Sequence, residues 1–585
     1  MPALMPESPS GTPCVTDGVQ AWIARAYQRL SSGDLQLAGE LCRRVLQADP
    51  LNANALRLQG IIEGQQGRIA EGLRLVEQAI DLEPGNPGFH FTRGQMLMRM
   101  GNPQAAAAAY QASAQLETDD PRSARHWILA LIACSRLPEA GSAADAALLR
   151  FPACAELLDA AGQVYMAQGR YPAASRVLQQ ACSVSPTFPD AWGNLAILHE
   201  QSNRLDAALD LIQEGLQRWP AHPMLRFIRS RCLRRQGEYT QARSVLQELL
   251  NGEISEKLRV DVEYELGWCA HGLGETNTAY ACFSQANLRA EQLPVYGPKP
   301  GMEFLDTIAT LKTQFTPDWV AAWQALASTD FGHEPAFILG FPRSGTTLLD
   351  TMLGAHADIQ VLEEPATIQA ILQRLNRYTG GYPAALAGLT SELQSELRGE
   401  YFLAAGLNQN TAGGRKLIDK SPFNTVHAGL IHRLFPRALQ IFVARHPCDV
   451  CLSCFMNNFE INSGTRHFTR LETSVRLYCQ VMDLWFAYRE LLPLNYKLVR
   501  YEDLVHQPEQ VLRRLLADLG VDWSDQVLRH AGHALNRGHI PTPSYAQVIR
   551  PVNTDACERW KRYAEVMRPF LVDLQPYIEA FGYAA

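Results

Sequence analysis

A 34-residue period constrains the first half of this chain more than any other feature. Pro50, Pro84, Pro152, Pro186 and Pro220 are separated by 34, 68, 34 and 34 residues, and the skipped position is Thr118. A second register holds Gly33, Gly67, Gly101, Ser135, Gly169, Asn203 and Gly237. A third holds Ala38, Gly72, Ala106, Ala140, Ala174, Ala208 and Ala242; after three inserted residues the pattern resumes at Gly274 and Ala279. The unit these registers imply is a helical hairpin. The Gly, Ser or Asn position is a tight turn where positive φ is cheap. The small residue five places on lies where two helices cross closely, and the proline ends the second helix. Stretches such as AEGLRLVEQAIDLEP place apolar residues at helical spacing. One hairpin cannot bury its apolar face alone, so the units must stack.

These registers resemble the tetratricopeptide repeat. The resemblance implies an all-α solenoid of about eight helix pairs over 18–291, with 1–17 as a disordered N-terminus. Such a solenoid either offers a concave face to a protein partner or a second copy of the chain, or serves as a rigid spacer. The arginines of Arg231-Cys-Leu-Arg-Arg235 are expected on a solvated face.

Composition limits the remaining classes. Hydrophobic residues are 47% of the 585 and charged residues 19%, enough apolar material to exclude wholesale disorder. A net charge of −7 argues against coating nucleic acid. Thirteen cysteines are too sparse for a disulfide scaffold, so reduced thiols are expected. The N-terminus lacks the basic and apolar regions of a signal peptide, and no run of about 18 apolar residues spells a membrane span. The expectation is a cytoplasmic protein. Length alone predicts about four domains; the repeat array reduces that to two, joined by a linker with lead-in helices at 292–334.

From Ala336 the pattern changes. AFILG, FPRSGTT and LLDTMLGAH read as strand, glycine loop and helix. Backbone N–H groups and a helix N-terminus in such a loop cradle phosphate oxygens. The triphosphate-binding version has Lys after the second glycine; here Thr346 stands there and the cation, Arg343, lies inside the loop. A second strand–helix unit, LQIFVARHPCDVCLSCF, carries Arg445 and, eight residues on, Ser453. A dianionic phosphate wants such a guanidinium fork with a hydroxyl near a helix start.

Together these stretches resemble the sulfotransferase superfamily over about 335–575, nearest to bacterial tetratricopeptide-repeat sulfotransferases and next to tyrosylprotein sulfotransferases. The resemblance implies a 335–585 domain built on a P-loop-like, mostly parallel sheet flanked by helices, with 3′-phosphoadenosine 5′-phosphosulfate (PAPS) as co-substrate and no metal. It implies that Arg343, Ser344, Gly345, Thr346 and Thr347 hold the 5′-phosphosulfate, and that Arg445 and Ser453 hold the 3′-phosphate. Tyr501, in KLVRYEDLV, would lie near the nucleotide. A closing loop in SYAQVIRPVNTDACERW would add Ser544, Gln547, Asn553 and Arg559.

The same resemblance makes Glu364 the general base that takes the acceptor's proton, with Glu363 structural. The alternative is that both only cap a helix starting near Ala366. Lys420, ending the apolar LID run, would stabilise the bridging oxygen, assisted by Ser544. The acceptor is a protein, glycan, lipid or small-molecule hydroxyl, peptidyl tyrosine among them. Three positions depart from the pattern: Ala366 stands where tyrosylprotein sulfotransferases have an arginine near the acceptor peptide, Ser421 replaces a family aspartate, and Asn457 a family arginine beyond Ser453. Cys448, Cys451 and Cys454 fall at i, i+3 and i+6 and are read as a buried small-residue face rather than a cluster site. His530, His533 and His539 are read as surface or loop residues rather than zinc ligands. Two other functions stay open at this point, a P-loop kinase-like enzyme and a non-catalytic repeat scaffold with an inert nucleotide-binding domain.

Overall fold

A computed structural model describes residues 15–293, 304–323, 334–407, 414–532 and 551–584. The chain divides into two compact units, Met1–Leu198 with Gln217–Trp219, and His199–Leu216 with Pro220–Ala585.

The periodic region folds as eight helix pairs among the described residues, from Val15–Ser31 with Leu35–Ala48 to Glu256–Gly272 with Thr276–Gln292. Every residue of the turn register has positive φ, from +55° at Asn203 to +89° at Gly237. Ser135 and Asn203 share the conformation with the glycines, so the turn tolerates a side chain, at a strain cost of about 1 kcal/mol. The alanines of the third register are wholly buried. At Gly72 the crossing is tighter: a Cβ there would lie 2.5 Å from the carbonyl oxygen of Gly60. Within this first unit, helix pairs also tie their neighbours through polar side chains. Arg57 Nε donates to Thr92 Oγ1 at 2.8 Å, and Asn194 Nδ2 to Asp159 Oδ1 at 2.7 Å.

The arginine-rich patch of the second unit corrects an expectation. Arg235 is buried, and its guanidinium pairs at 2.8 Å with the buried Glu200. Arg231 meets the same carboxylate at 2.9 Å, and Arg234 pairs with Glu265. The partner carboxylates lie about one repeat away in sequence, so what looks like a solvated face is a set of ion pairs between successive hairpins.

Among its described residues the second unit also holds an all-parallel five-stranded sheet in the order β2-β3-β1-β4-β5. The strands are β1 Ala336–Gly340, β2 Ile359–Glu363, β3 Lys416–Lys420, β4 Gln440–Ala444 and β5 Tyr496–Arg500. Alternate residues face opposite layers. Phe337, Leu339 and Phe442 join one core with the long helix Leu471–Leu491, and Ile338, Ile418 and Val443 join the other with Leu349, Met352 and Leu515. The first core includes Tyr264, Phe283 and Ala286, so the last helix pair is packed into the α/β layer rather than tethered to it. Between them, Phe304–Gln314 is helical as expected, but the helix at Pro317–Ala321 is only five residues long. No described helix is long and apolar enough to cross a membrane.

Candidate active site

The carboxyl ends of all five strands meet at one edge, where parallel α/β sheets place their ligands. β1 runs into the loop Phe341–Gly345, anchored by Thr425: Gly340 N–H donates to its Oγ1 at 2.8 Å, and that hydroxyl donates to Gly340 O at 2.7 Å. Arg343 sits in the left-handed region at φ +70°, and Gly345 at +103° caps the helix Thr346–Gly354. No side chain fits at Gly345, because a Cβ would stand 2.5 Å from Cδ2 of Tyr501. The first amides of that helix therefore open onto the loop. Ser344 Oγ is buried beside them with no hydrogen-bond partner in the described structure.

Three guanidiniums converge behind the loop. Arg343 Nε donates to Ser453 Oγ at 3.1 Å, and Arg445 Nη1 donates to Arg343 O at 3.2 Å. Arg445 also donates to Ala556 O, stands 5.0 Å from the Tyr501 ring centre and lies 3.7 Å from Asp449. Arg559, buried, follows Glu558, whose φ of +53° sets the entry to the segment Arg559–Tyr563. Burial pushes the Arg343 guanidinium down to about 10, and the charges of Arg445 and Arg559 push the same way. Burial, then Arg445, also lowers Arg559 to about 10. The Nε atoms of Arg445 and Arg559 are buried without hydrogen-bond partners. Buried cations crowded together, with donors to spare on Arg445 and Arg559, form a site that a bound dianion would complete.

The second feature is a buried lysine. Lys420 ends β3 with no exposed surface and pairs across the sheet with Glu363 and Ile338. Its Nζ lies 3.0 Å from Glu364 Oε1, 3.3 Å from Glu363 Oε1 and 3.3 Å from Asp350 Oδ2. Burial alone would lower the ammonium's pKa, but Asp350, Glu364 and Glu363 together hold it above its usual value. Glu364 is half-exposed, at φ +47°, with its N–H donating to Lys420 O at 2.7 Å. The following helix, Thr367–Leu375, starts from Ala366, which caps nothing. The hydrogen bond that Glu364 Oε1 accepts comes from Lys420. On the opposite face of β3, Asp419 accepts from Thr367 Oγ1 at 2.8 Å and Tyr401 OH at 2.9 Å, and burial raises its pKa to about 6.

The structure thus brings Arg343, Ser344, Gly345, Thr346, Thr347, Arg445, Ser453, Tyr501 and Arg559 to one end of the sheet, with Lys420 and Glu364 beside them. Asn553 is not brought in: it is exposed, and its side chain turns onto its own loop, accepting from Asp555 N–H at 3.2 Å. Ser544, Gln547, His533 and His539 lie outside the described residues. Asn457 is spent on Ser453 O, at 2.6 Å. Cys448, Cys451 and Cys454 are buried free thiols, each pKa raised by burial. His530 is buried too, on a helical turn, against its expected surface or loop place. Sequence reasoning missed Asp350 and Asp449. A carboxylate inside the apolar run LLDTM was the available signal for the first; the i+4 spacing from Arg445 was the signal for the second.

Residues 335–525 match the model of the Sulfotransferase family. Residues 57–124, 160–223 and 194–257 match that of the Tetratricopeptide repeat. An uncharacterized protein of Aquifex aeolicus is 25% identical over 423 residues, covering 65% of this chain and 54% of that protein. The protein-tyrosine sulfotransferase of Drosophila melanogaster is 28% identical over 265 residues, 42% of this chain and 51% of its own. Protein-tyrosine sulfotransferase 1 of Danio rerio is 30% identical over 263 residues, 42% of this chain and 71% of its own. The chain spans about half the length of the first two.

Proposed function

This chain belongs to the sulfotransferase family, and from that premise we propose that its second unit transfers a sulfuryl group from PAPS to an acceptor hydroxyl. The observation that carries the reading is the convergence of buried Arg343, Arg445 and Arg559, with unpartnered donors on the last two, beside the buried Lys420. The residues present fit a nucleotide with two phosphate groups. Arg343, Ser344 and the amides opening Thr346–Gly354 would hold the 5′-phosphosulfate, and Arg445, Ser453 and Arg559 the 3′-phosphate.

The donor supplies the sulfuryl group. Half-exposed Glu364 takes the proton of the acceptor hydroxyl. The acceptor oxygen bonds to sulfur as the bond from sulfur to the phosphate oxygen breaks, and Lys420 faces the charge left on that oxygen. The contribution is positional and electrostatic, as in phosphoryl transfer. Peptidyl tyrosine is the acceptor that the animal relatives' names supply; Ala366, where the resemblance expects an arginine, keeps glycan, lipid and small phenol hydroxyls in view. We assign the repeats to protein interaction or dimerisation.

Isothermal titration tests the donor. Adenosine 3′,5′-bisphosphate should bind without Mg²⁺, and Arg343→Ala and Arg445→Ala should abolish binding. ATP–Mg²⁺ binding with no affinity for the bisphosphate would overturn the reading in favour of a kinase-like enzyme. Transfer of labelled sulfate from PAPS into a lysate, with products fractionated into protein, glycan, lipid and small molecules, identifies the acceptor class.

A further inference from the structure

The last helix pair belongs to the same compact unit as the α/β fold, and it grips the elements that carry two of the three 3′-phosphate residues of the proposed site, Ser453 and Arg559. The first is the helix Pro447–Phe455, which bears Ser453. Asn287 Nδ2 donates to Phe455 O at 3.0 Å, Tyr280 packs on Phe455 with ring centres 5.3 Å apart, and Asn458 Nδ2 donates to Asp261 Oδ1 at 2.7 Å. The second is Arg559–Tyr563. Trp268 places its ring centre 5.9 Å from Arg559 Cζ. Three residues on, His271 stacks on Tyr563 at 11° and shares a 2.8 Å hydrogen bond with its hydroxyl, while Arg562 Nη2 donates to His271 O at 2.8 Å.

We propose that the helix pair Glu256–Gly272 with Thr276–Gln292 is a wall of the donor site, and that Trp268 is a positioning residue that fixes the guanidinium of Arg559 against the bound anion. Arg559 Nε makes no hydrogen bond in the described structure. The buried guanidinium lies within cation–π reach of the indole, and that attraction is stronger where water is excluded. Trp268 itself is pinned by Phe283 at 5.4 Å, in the common core. The inference rests on Arg559 being a donor-site residue, as proposed above.

A double-mutant cycle on the full chain, read as affinity for adenosine 3′,5′-bisphosphate, separates the two. Trp268→Leu should weaken binding about tenfold, equivalent to about 1.4 kcal/mol, and Trp268→Phe should recover most of it. In an Arg559→Ala background Trp268→Leu should add nothing. In turnover, KM for the donor should rise while KM for the acceptor stays put. Unchanged binding by Trp268→Leu, or a loss of equal size in the Arg559→Ala background, overturns the positioning role, because a merely structural residue would act regardless of Arg559. Failure of the unsubstituted chain to bind the bisphosphate overturns the donor-site reading itself, and the inference with it.

Discussion

Lys420 Nζ and Asp350 Oδ2 lie 3.3 Å apart, both side chains wholly buried, although 70 residues separate them in sequence. Asp350 projects from the helix that follows the loop, so the lysine is coupled to the phosphate cradle and to the Glu363–Glu364 corner at once. Removing one of three carboxylates should let burial pull the ammonium's pKa down. Asp350→Asn, nearly isosteric, is expected to move the alkaline limb of the rate profile to lower pH. It should also cost about tenfold or more in kcat while bisphosphate affinity holds. An unshifted limb would remove Asp350 from this role.

Glu364→Gln separates base from cap. Loss of a general base costs about 10²- to 10⁴-fold in turnover, and bisphosphate binding should survive, because Glu364 touches none of the three arginines. Near-normal turnover would mean another group takes the proton; no turnover by either form would mean the domain is inert and acts as a scaffold.

Asp419 sets a pH dependence of stability. Its folded-state pKa, raised by burial to about 6 from 3.8, means the folded chain binds more protons than the unfolded chain between those values. Stability from this group is therefore full below about pH 4 and lost as pH rises through 6, by at most about 3 kcal/mol at about 1.4 kcal/mol per unit. Denaturant melts of the natural chain and Asp419→Asn should converge on acidification from pH 7 to 5, if Asn keeps the bonds from Thr367 and Tyr401. A pH-independent difference would contradict this.

Two glycines should resist substitution for different reasons. Gly72→Ala brings a Cβ within 2.5 Å of backbone oxygen in the crossing of one hairpin, so it should lower stability by about 1–3 kcal/mol without touching nucleotide affinity. Gly345→Ala drives a Cβ into Tyr501 at positive φ and should abolish bisphosphate binding. Titration and thermal melts on both variants distinguish these outcomes.

Turn residues, crossing alanines and the Arg445–Ser453 spacing were legible because each lies within one hairpin or one strand–helix unit, where local geometry dictates residue type. Asp350 was not, because its partner arrives only through the parallel pairing of β1 with β3. Trp268 was hidden more deeply still: it meets a residue nearly 300 positions later, and an indole in a helical repeat has an ordinary core explanation. The arginines at 231–235 were misread for the opposite reason. Their carboxylate partners sit about one period away, a relation visible in the sequence once the ion pair is known to run between hairpins.

Among the described residues, five without glycine's freedom hold positive φ; two lie in repeat turns, and the others are Arg343, Glu364 and Glu558. The loop cation, the candidate base and the residue that aims Arg559 are thus all stored against their backbone preference, at a cost of about 1–3 kcal/mol each. Selection for stability alone would replace them with glycine. Glu364→Gly should therefore be more stable than Glu364→Ala, and a chain of this lineage that drifts toward glycine at these three positions is one relaxing out of catalysis into a better-folded, idle protein.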